Sequence, residues 1–334
     1  MSLGGGRHEV MFCDVISIEN LLSAWKEFRK GKRAKRDVAE FELRLEDNMF
    51  ALHRELASGI WKPDPYTAFY IQDPKLRLIH KASVRDRVLY QAIYRSLYLL
   101  FDKEFIHDSY SSRNGKGTHR EVERFEIFAR KITENYRKRG FALKCDIRKF
   151  FDSIDHGVLL PLVAGKVSDP RLFALLRTII TSFEAVSGKG LPLGNVTSQI
   201  FANVYLNELD QFAKHVLKAK YYIRYCDDFV ILDCSRERLG GYVSKLREFF
   251  GKKLLLELHP RKVEIRNFRQ GVDFLGYISL PRYRVLRTST KRRILARVEP
   301  KSLASYLGVL SHCSSFTLKN IILKICRRDA SIRR

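Results

Sequence analysis

The chain has 334 residues, 62 of them Lys or Arg against 37 Asp or Glu, for a formal net charge of +25. That length allows a large core in two or three lobes. The surplus is clustered at Lys30 to Arg36, at Arg137-Lys138-Arg139 and from Arg282 to Lys301, which sets aside a merely soluble basic surface and points to a polyanionic partner. Six cysteines are scattered without a C-x-x-C pair, so no zinc site is expected and reduced thiols in a cytoplasmic protein are. No apolar run is long enough to span a bilayer, so no membrane association is expected. The start lacks the apolar region of a signal peptide, and Met1 to Gly6 reads as a loose end.

In chain order, Ser17 is placed to cap a helix whose apolar face is Leu21, Trp25 and Phe28. A second amphipathic helix is predicted from Asp37 to Ser58, ended by Gly59. After a proline-punctuated turn, Thr67 to Ile71 and Lys75 to His80 read as a hairpin joined at Asp73-Pro74, and Ser83 to Phe101 as a long buried helix. Ser109 to Gly117 is a polar loop and Thr118 to Arg137 a helix. Phe141 to Ile147 is a strand, and Val158 to Val163 and Pro170 to Thr181 are helices. A glycine-rich turn at Ser187 to Gly194 feeds a helix from Asn195 to Lys218. Tyr221 to Leu232 is a strand, turn and strand; Arg236 to Phe250 is a helix; Leu254 to Leu258 and Lys262 to Arg266 are short strands. Beyond Pro281 the chain turns basic and helical. Helices flanking a mostly antiparallel sheet define an α+β fold.

The chemistry concentrates on carboxylates. Asp146 sits where a buried strand ends, and Asp227-Asp228 sits on a bend between Tyr225-Cys226 and the apolar run Phe229 to Leu232. Asp is an ordinary turn residue, but carboxylates flanked by buried segments need a metal or a partner. Side by side in a sheet, the two elements bring three carboxylates into one cluster, the requirement for two-metal phosphoryl transfer. On a chain this basic the substrate is expected to be nucleic acid.

Tyr225-Cys-Asp-Asp228 resembles the Y-x-D-D motif of reverse transcriptases, and Asp146-Ile-Arg-Lys-Phe-Phe-Asp-Ser-Ile-Asp-His156 resembles their first catalytic motif. Leu191-Pro-Leu-Gly-Asn-Val-Thr-Ser-Gln199 stands where most of that family reads P-Q-G-x-x-x-S-P. With Leu193 for Gln and Gln199 for Pro, it resembles the enzymes of diversity-generating retroelements within the group II intron-like prokaryotic superfamily. Phe274-Leu275-Gly276-Tyr277 resembles the primer grip, and His259-Pro-Arg-Lys262 the segment whose Lys protonates the leaving pyrophosphate. Arg77 to Lys81 and Val84 to Arg87 resemble a fingers motif, Ser109 to His119 the next one, and Ser305 to His312 the start of the thumb. The likeness covers about residues 15–325, in the order fingers, palm, thumb.

That resemblance implies a right-hand polymerase with N-terminal helices and fingers over 1–140, an antiparallel palm sheet within 141–281 and a small helical thumb over 282–334. Asp146, Asp227 and Asp228 would be catalytic and would hold two Mg²⁺ ions with the backbone of Ile147, Mn²⁺ substituting; Lys262 would be the acid. Phe151, Leu193, Gly194 and Gln199 would bind the nucleotide. Arg77 and Arg85 are the favoured triphosphate grips, with Arg87 pairing Asp86 or a template phosphate. Arg113, Lys116, Arg287, Lys291, Arg292 and Arg293 would contact nucleic acid. The implied partners are a template RNA and primer, dNTPs and a small accessory variability-determinant protein. The implied role is adenine-mutagenic cDNA synthesis that diversifies a target gene, in a prokaryotic cell or encoded by a phage. Neither an endonuclease cluster nor a long maturase-like extension is seen, which argues against a full mobile-intron protein. A defence-type or CRISPR-associated reverse transcriptase is the alternative, and behind it a non-catalytic RNA-binding scaffold, disfavoured because all three carboxylates are present.

Overall fold

The computed structural model describes residues 9–72 and 75–332. The Asp73-Pro74 link and the glycine-rich start lie outside them. The chain clusters into two compact units that interleave along the sequence. The first takes the stretch up to His107, Ile147–Val216 and Arg247–Leu258; the second takes Asp108–Asp146, Leu217–Leu246 and the residues from His259 on.

The first unit is largely helical. Ser17 Oγ accepts the Asn20 N–H at 3.2 Å and opens the helix Ile18–Phe28, which buries Leu21, Ala24, Trp25 and Phe28. The single helix predicted from Asp37 to Ser58 is two, Arg36–Leu43 and Leu45–Ala57, broken at Arg44 (φ −125°, ψ 44°). The Asn48 side-chain amide donates to the Phe41 carbonyl at 3.0 Å, the acceptor that a continuous helix would offer to residue 45. Strands β1 (Thr67–Gln72) and β2 (Leu76–Lys81) form an antiparallel hairpin, Thr67 opposite Lys81. Behind them runs the buried helix Val84–Phe101, capped by Ser83 Oγ on the Asp86 N–H. The helices His156–Ala164 and Pro170–Thr181 follow, then Val196–Gln211, which continues as a wide π turn, Phe212–Val216, instead of α-helix to Lys218. The strand predicted over Leu254 to Leu258 does not form. Its first residue closes a π turn, Leu255 takes a left-handed backbone (φ 49°), and Leu258 alone bridges, to Ile147.

The second unit is built on a four-stranded antiparallel sheet in the order β4-β5-β3-β6: β3 is Phe141–Cys145, β4 Tyr221–Tyr225, β5 Asp228–Asp233 and β6 Glu264–Asn267. Ala142, Leu143 and Cys145 of the inner strand β3 are almost entirely excluded from water. The helix Thr118–Ile132 packs Val122, Phe125 and Phe128 into the core with Ile223, Val230 and Phe274. A buried ring of this kind contributes about 1.5–3 kcal/mol. That helix stops five residues short of Arg137. Thr133 Oγ1 donates to the Ala129 carbonyl and accepts the Tyr136 N–H, and Glu134, Asn135 and Tyr136 all turn left-handed. A three-stranded sheet follows, β7 (Val272–Phe274), β8 (Tyr277–Leu280) and β9 (Tyr283–Leu286), then the helices Thr288–Arg297, Leu303–Leu310 and Phe316–Ile332. Among the described residues no helix is long and apolar enough to cross a membrane.

Candidate active site

Register brings the carboxylates of the second unit together. Strand β3 pairs antiparallel with β5, Cys145 opposite Phe229, so Asp146, one step past the strand end, emerges beside Asp228. The β4–β5 hairpin closes tightly, Tyr225 opposite Asp228, with Cys226 left-handed (φ 52°) to make the bend. The loop that brings Lys262 is tied down by the His259 N–H donating to the Asp146 carbonyl at 2.8 Å. Lys262 Nζ donates to Asp146 Oδ2 at 2.6 Å.

Burial pushes the Asp228 carboxyl up to about 6. The Lys144 ammonium pulls the other way, while Asp227 and Asp146 push up with the burial. Asp227 is raised for the same first reason, with Asp146 adding repulsion. Burial likewise lifts the Cys226 thiol, to about 12, so this cysteine is a packing group and not a nucleophile. The site is thus a crowded set of hard oxygen donors whose negative charge Lys144 and Lys262 only partly offset. Among the described residues no three His, Cys, Asp or Glu side chains are gathered as a finished metal cage. The donor chemistry nonetheless fits a hard divalent cation.

The other predicted site residues fall into two groups. In the first unit, Ile147 is buried, and Phe151 is half-buried against Phe150 with ring centroids 5.3 Å apart. Leu193 is half-buried, and its carbonyl accepts the His80 N–H at 3.1 Å, fastening the Leu191–Gly194 loop to β2. Gly194 (φ 117°) passes so close that a Cβ there would meet Ile79 at 3.1 Å. Gln199 lies exposed on the helix Val196–Gln211, and Arg77 is exposed on β2 opposite Ile71.

Arg85 points elsewhere. Its guanidinium reaches Glu55 and Asp64 at 2.9 Å, Asp86 at 3.2 Å and the Lys62 carbonyl at 2.7 Å. Arg87 pairs with Asp37 at 2.5 Å, not with Asp86, and Lys81 meets the same Asp37 at 2.6 Å. Lys81 and Arg87, with Lys32, Lys35, Phe69, Ile79 and Asn195, line a cavity of about 380 Å³. Sequence reasoning missed this cavity because its walls come from stretches more than 150 residues apart.

In the second unit, Leu275 (φ 49°) and Gly276 (φ 88°) turn the hairpin between buried Phe274 and Tyr277. The Tyr277 hydroxyl donates to the Val309 carbonyl at 3.2 Å and meets His119 Nδ1 at 3.3 Å. Arg113 donates to the Ser109 carbonyl, and Lys116 lies over the Tyr110 ring. Arg287 is bound to Asp273, whereas Arg292 is exposed, with Lys291 and Arg293 half-exposed beside it. Lys144 and Arg224 also lie around the Cys226–Asp228 turn. A charged residue inside each of two apolar strands was the signal for them.

Residues 62–279 match the reverse transcriptase (RNA-dependent DNA polymerase) family. The chain belongs to that family, and is an RNA-directed DNA polymerase, a nucleotidyltransferase. It is 26% identical over 278 residues to Protein YkfC of Escherichia coli (strain K12), covering 71% of this chain and 72% of that protein. It is 22% identical over 320 residues to the group II intron-encoded protein LtrA of Lactococcus lactis subsp. cremoris, covering 74% of this chain and 51% of LtrA, so it spans about half the length of that relative. Among solved structures, apo telomerase from Candida tropicalis, truncated from its C-terminal domain, superposes with a TM-score of 0.51 at 13% identity. That match covers 70% of this chain and 59% of the other, and shows a shared fold.

Proposed function

We propose that this reverse transcriptase makes error-prone cDNA, mutated at template adenines, from a template-repeat RNA, and so diversifies a target gene. The observation that carries the reading is Leu193. It stands where most of the family carries Gln, in a loop whose backbone is anchored to β2 through His80. Gln can hydrogen-bond the nucleotide or its surroundings, whereas Leu offers only shape. Loss of one such polar contact narrows discrimination by about 1–2 kcal/mol.

In this reading Asp146, Asp227 and Asp228, with the Ile147 carbonyl, would hold two Mg²⁺ ions, which would supply activation of the primer 3′-hydroxyl and charge neutralisation at the pyrophosphate leaving group. Lys262, which donates to Asp146 at 2.6 Å, is the acid placed to serve that leaving group. Phe151 packs under the sugar and excludes a 2′-hydroxyl. Arg77 reaches the triphosphate, and the basic cavity lined by Lys32, Lys35, Lys81 and Arg87 supports the template backbone. The chain is arranged as fingers, palm and thumb, and a small accessory protein guides priming.

The test is primer extension on an RNA template carrying adenines in several contexts, with Mg²⁺ and dNTPs, followed by cDNA sequencing. Wild type should misincorporate chiefly opposite adenine, Leu193→Gln should lower those errors about 5- to 30-fold, and Asp227→Asn should make no cDNA while still binding RNA. An error spectrum unchanged by Leu193→Gln reduces Leu193 to a packing residue. Accurate synthesis by the wild type moves the enzyme to a defence-type or other prokaryotic lineage.

A further inference from the structure

Arg224 is a charged side chain within a buried strand, β4, and none of it reaches solvent. Such a group is costly unless its donors are satisfied and its charge is matched. Its donors are placed with evident purpose. Nη1 donates to the Cys226 carbonyl at 3.2 Å and Nη2 to Ser109 Oγ at 3.0 Å. Its backbone N–H donates to the Asp108 carbonyl at 3.0 Å, and its own carbonyl accepts the Tyr110 N–H at 2.9 Å, so the segment Asp108–Tyr110 runs alongside as a support. The residue it braces is the one that needs bracing. Cys226 holds a left-handed backbone, a conformation that β-carbon residues rarely adopt, immediately before the two carboxylates.

Glu121 lies in the first turn of the helix Thr118–Ile132. It is fully buried, and neither carboxylate oxygen has a hydrogen-bond partner. Burial holds its carboxyl well above the ordinary carboxylate range; Arg224 opposes that rise, and Asp228 and Asp108 add to it. Neither Arg224 nor Glu121 belongs to the set expected to touch metal, nucleotide or nucleic acid.

We propose that Arg224 is a positioning residue of the polymerase reaction: its guanidinium holds the Cys226 carbonyl against Ser109, so that Asp227 and Asp228 stay in register with Asp146. The planar fork of arginine reaches both acceptors at once, which a lysine ammonium on a single stem does not. The inference rests on the polymerase activity of the family and is independent of the mutagenic reading.

The test combines steady-state primer extension on a defined RNA template, RNA binding and thermal melting, for Arg224→Met, Glu121→Met, the double variant and Arg224→Lys. Arg224→Met leaves the Cys226 carbonyl and Ser109 Oγ without their donor and should melt lower, whereas Glu121→Met replaces a buried, unpartnered carboxyl and should melt higher. The double variant combines the loss with that gain at similar volume and should recover its melting temperature. Its kcat should nonetheless stay about 100-fold down, with dNTP KM and RNA affinity within about twofold of wild type. A double variant that recovers wild-type kcat shows that Arg224 contributes only stability and overturns the proposal. Should the double variant not fold, Arg224→Lys decides. It keeps the charge and should fold, with kcat about 10-fold lower at unchanged KM; wild-type kcat there also overturns the proposal. A wild-type chain that extends no primer refutes the polymerase activity itself, an outcome separate from any difference among variants.

Discussion

Asp228 shows what the carboxylate cluster does to the protein that carries it. Its folded-state pKa, about 6, lies above the usual carboxylate value near 3.9. A group raised in this way favours the folded state at pH below about 4, and that contribution is lost as pH rises through about 6. At pH 8 the ionised Asp228 therefore opposes folding. Asp228→Asn should stabilise the metal-free protein at pH 8 by about 1–2 kcal/mol, and the gain should vanish below pH 4; thermal melts at both pH values check this. A variant no more stable than wild type at pH 8 means that Lys144 and Lys262 already neutralise the site. At this scale Asp146, Asp227 and Asp228 were legible as acidic residues bounding apolar strands. The engagement of Lys262 with Asp146, 116 residues away, was not, because charge pairing at that separation is a property of the folded sheet. The same holds for Arg85, whose motif position suggested a phosphate grip while Glu55, Asp64 and Asp86 surround its guanidinium.

Among the elements, the turn that delivers Leu193 is specified most tightly. Gly190 donates its N–H to the Ile154 carbonyl at 2.8 Å, and its own carbonyl meets His156 Nε2 at 2.7 Å. Its φ is 114°, and a Cβ there would lie 2.8 Å from the Ala185 nitrogen. Gly190→Ala should therefore cost about 2–3 kcal/mol in a denaturant melt. Gly188→Ala, two residues earlier at φ 71° with open space around it, should cost about 1 kcal/mol. Equal costs at the two positions contradict the close approach at Gly190. Both glycines stood out in the sequence as a turn, but their different stringency depends on what packs against each. The break at Arg44 and the early stop at Ile132 have the same origin. Periodicity continues through both, and a side-chain hydrogen bond, from Asn48 in one case and Thr133 in the other, ends the backbone pattern.

For the whole molecule the dominant quantity is the net charge of +25. Each Lys or Arg that neutralises an RNA phosphate releases a condensed counterion, and for single strands the logarithmic salt slope is about −0.7 per phosphate contacted. RNA affinity should fall at least tenfold between about 50 and 200 mM salt, measured by titration of labelled template RNA. An affinity independent of salt contradicts binding by the basic surface. The exposed face near Arg292 and the cavity around Lys32, Lys35, Lys81 and Arg87 are two places where this charge is available.

Local chemistry alone determined much of this protein. Helix caps such as Ser17 and Ser83, the apolar stripe Leu21, Trp25 and Phe28, the alternation that makes the strands, and the three carboxylates at strand ends all follow from side chains interacting within a few residues. Tertiary structure alone decided which charges meet. Antiparallel register set Asp146 beside Asp228, loop closure laid Lys262 on Asp146, and the buried Arg224 found Ser109 from 115 residues away. Burial strengthens such encounters and raises the cost of leaving any one of them unmade, and burial is a property that the folded chain has and a stretch of sequence does not.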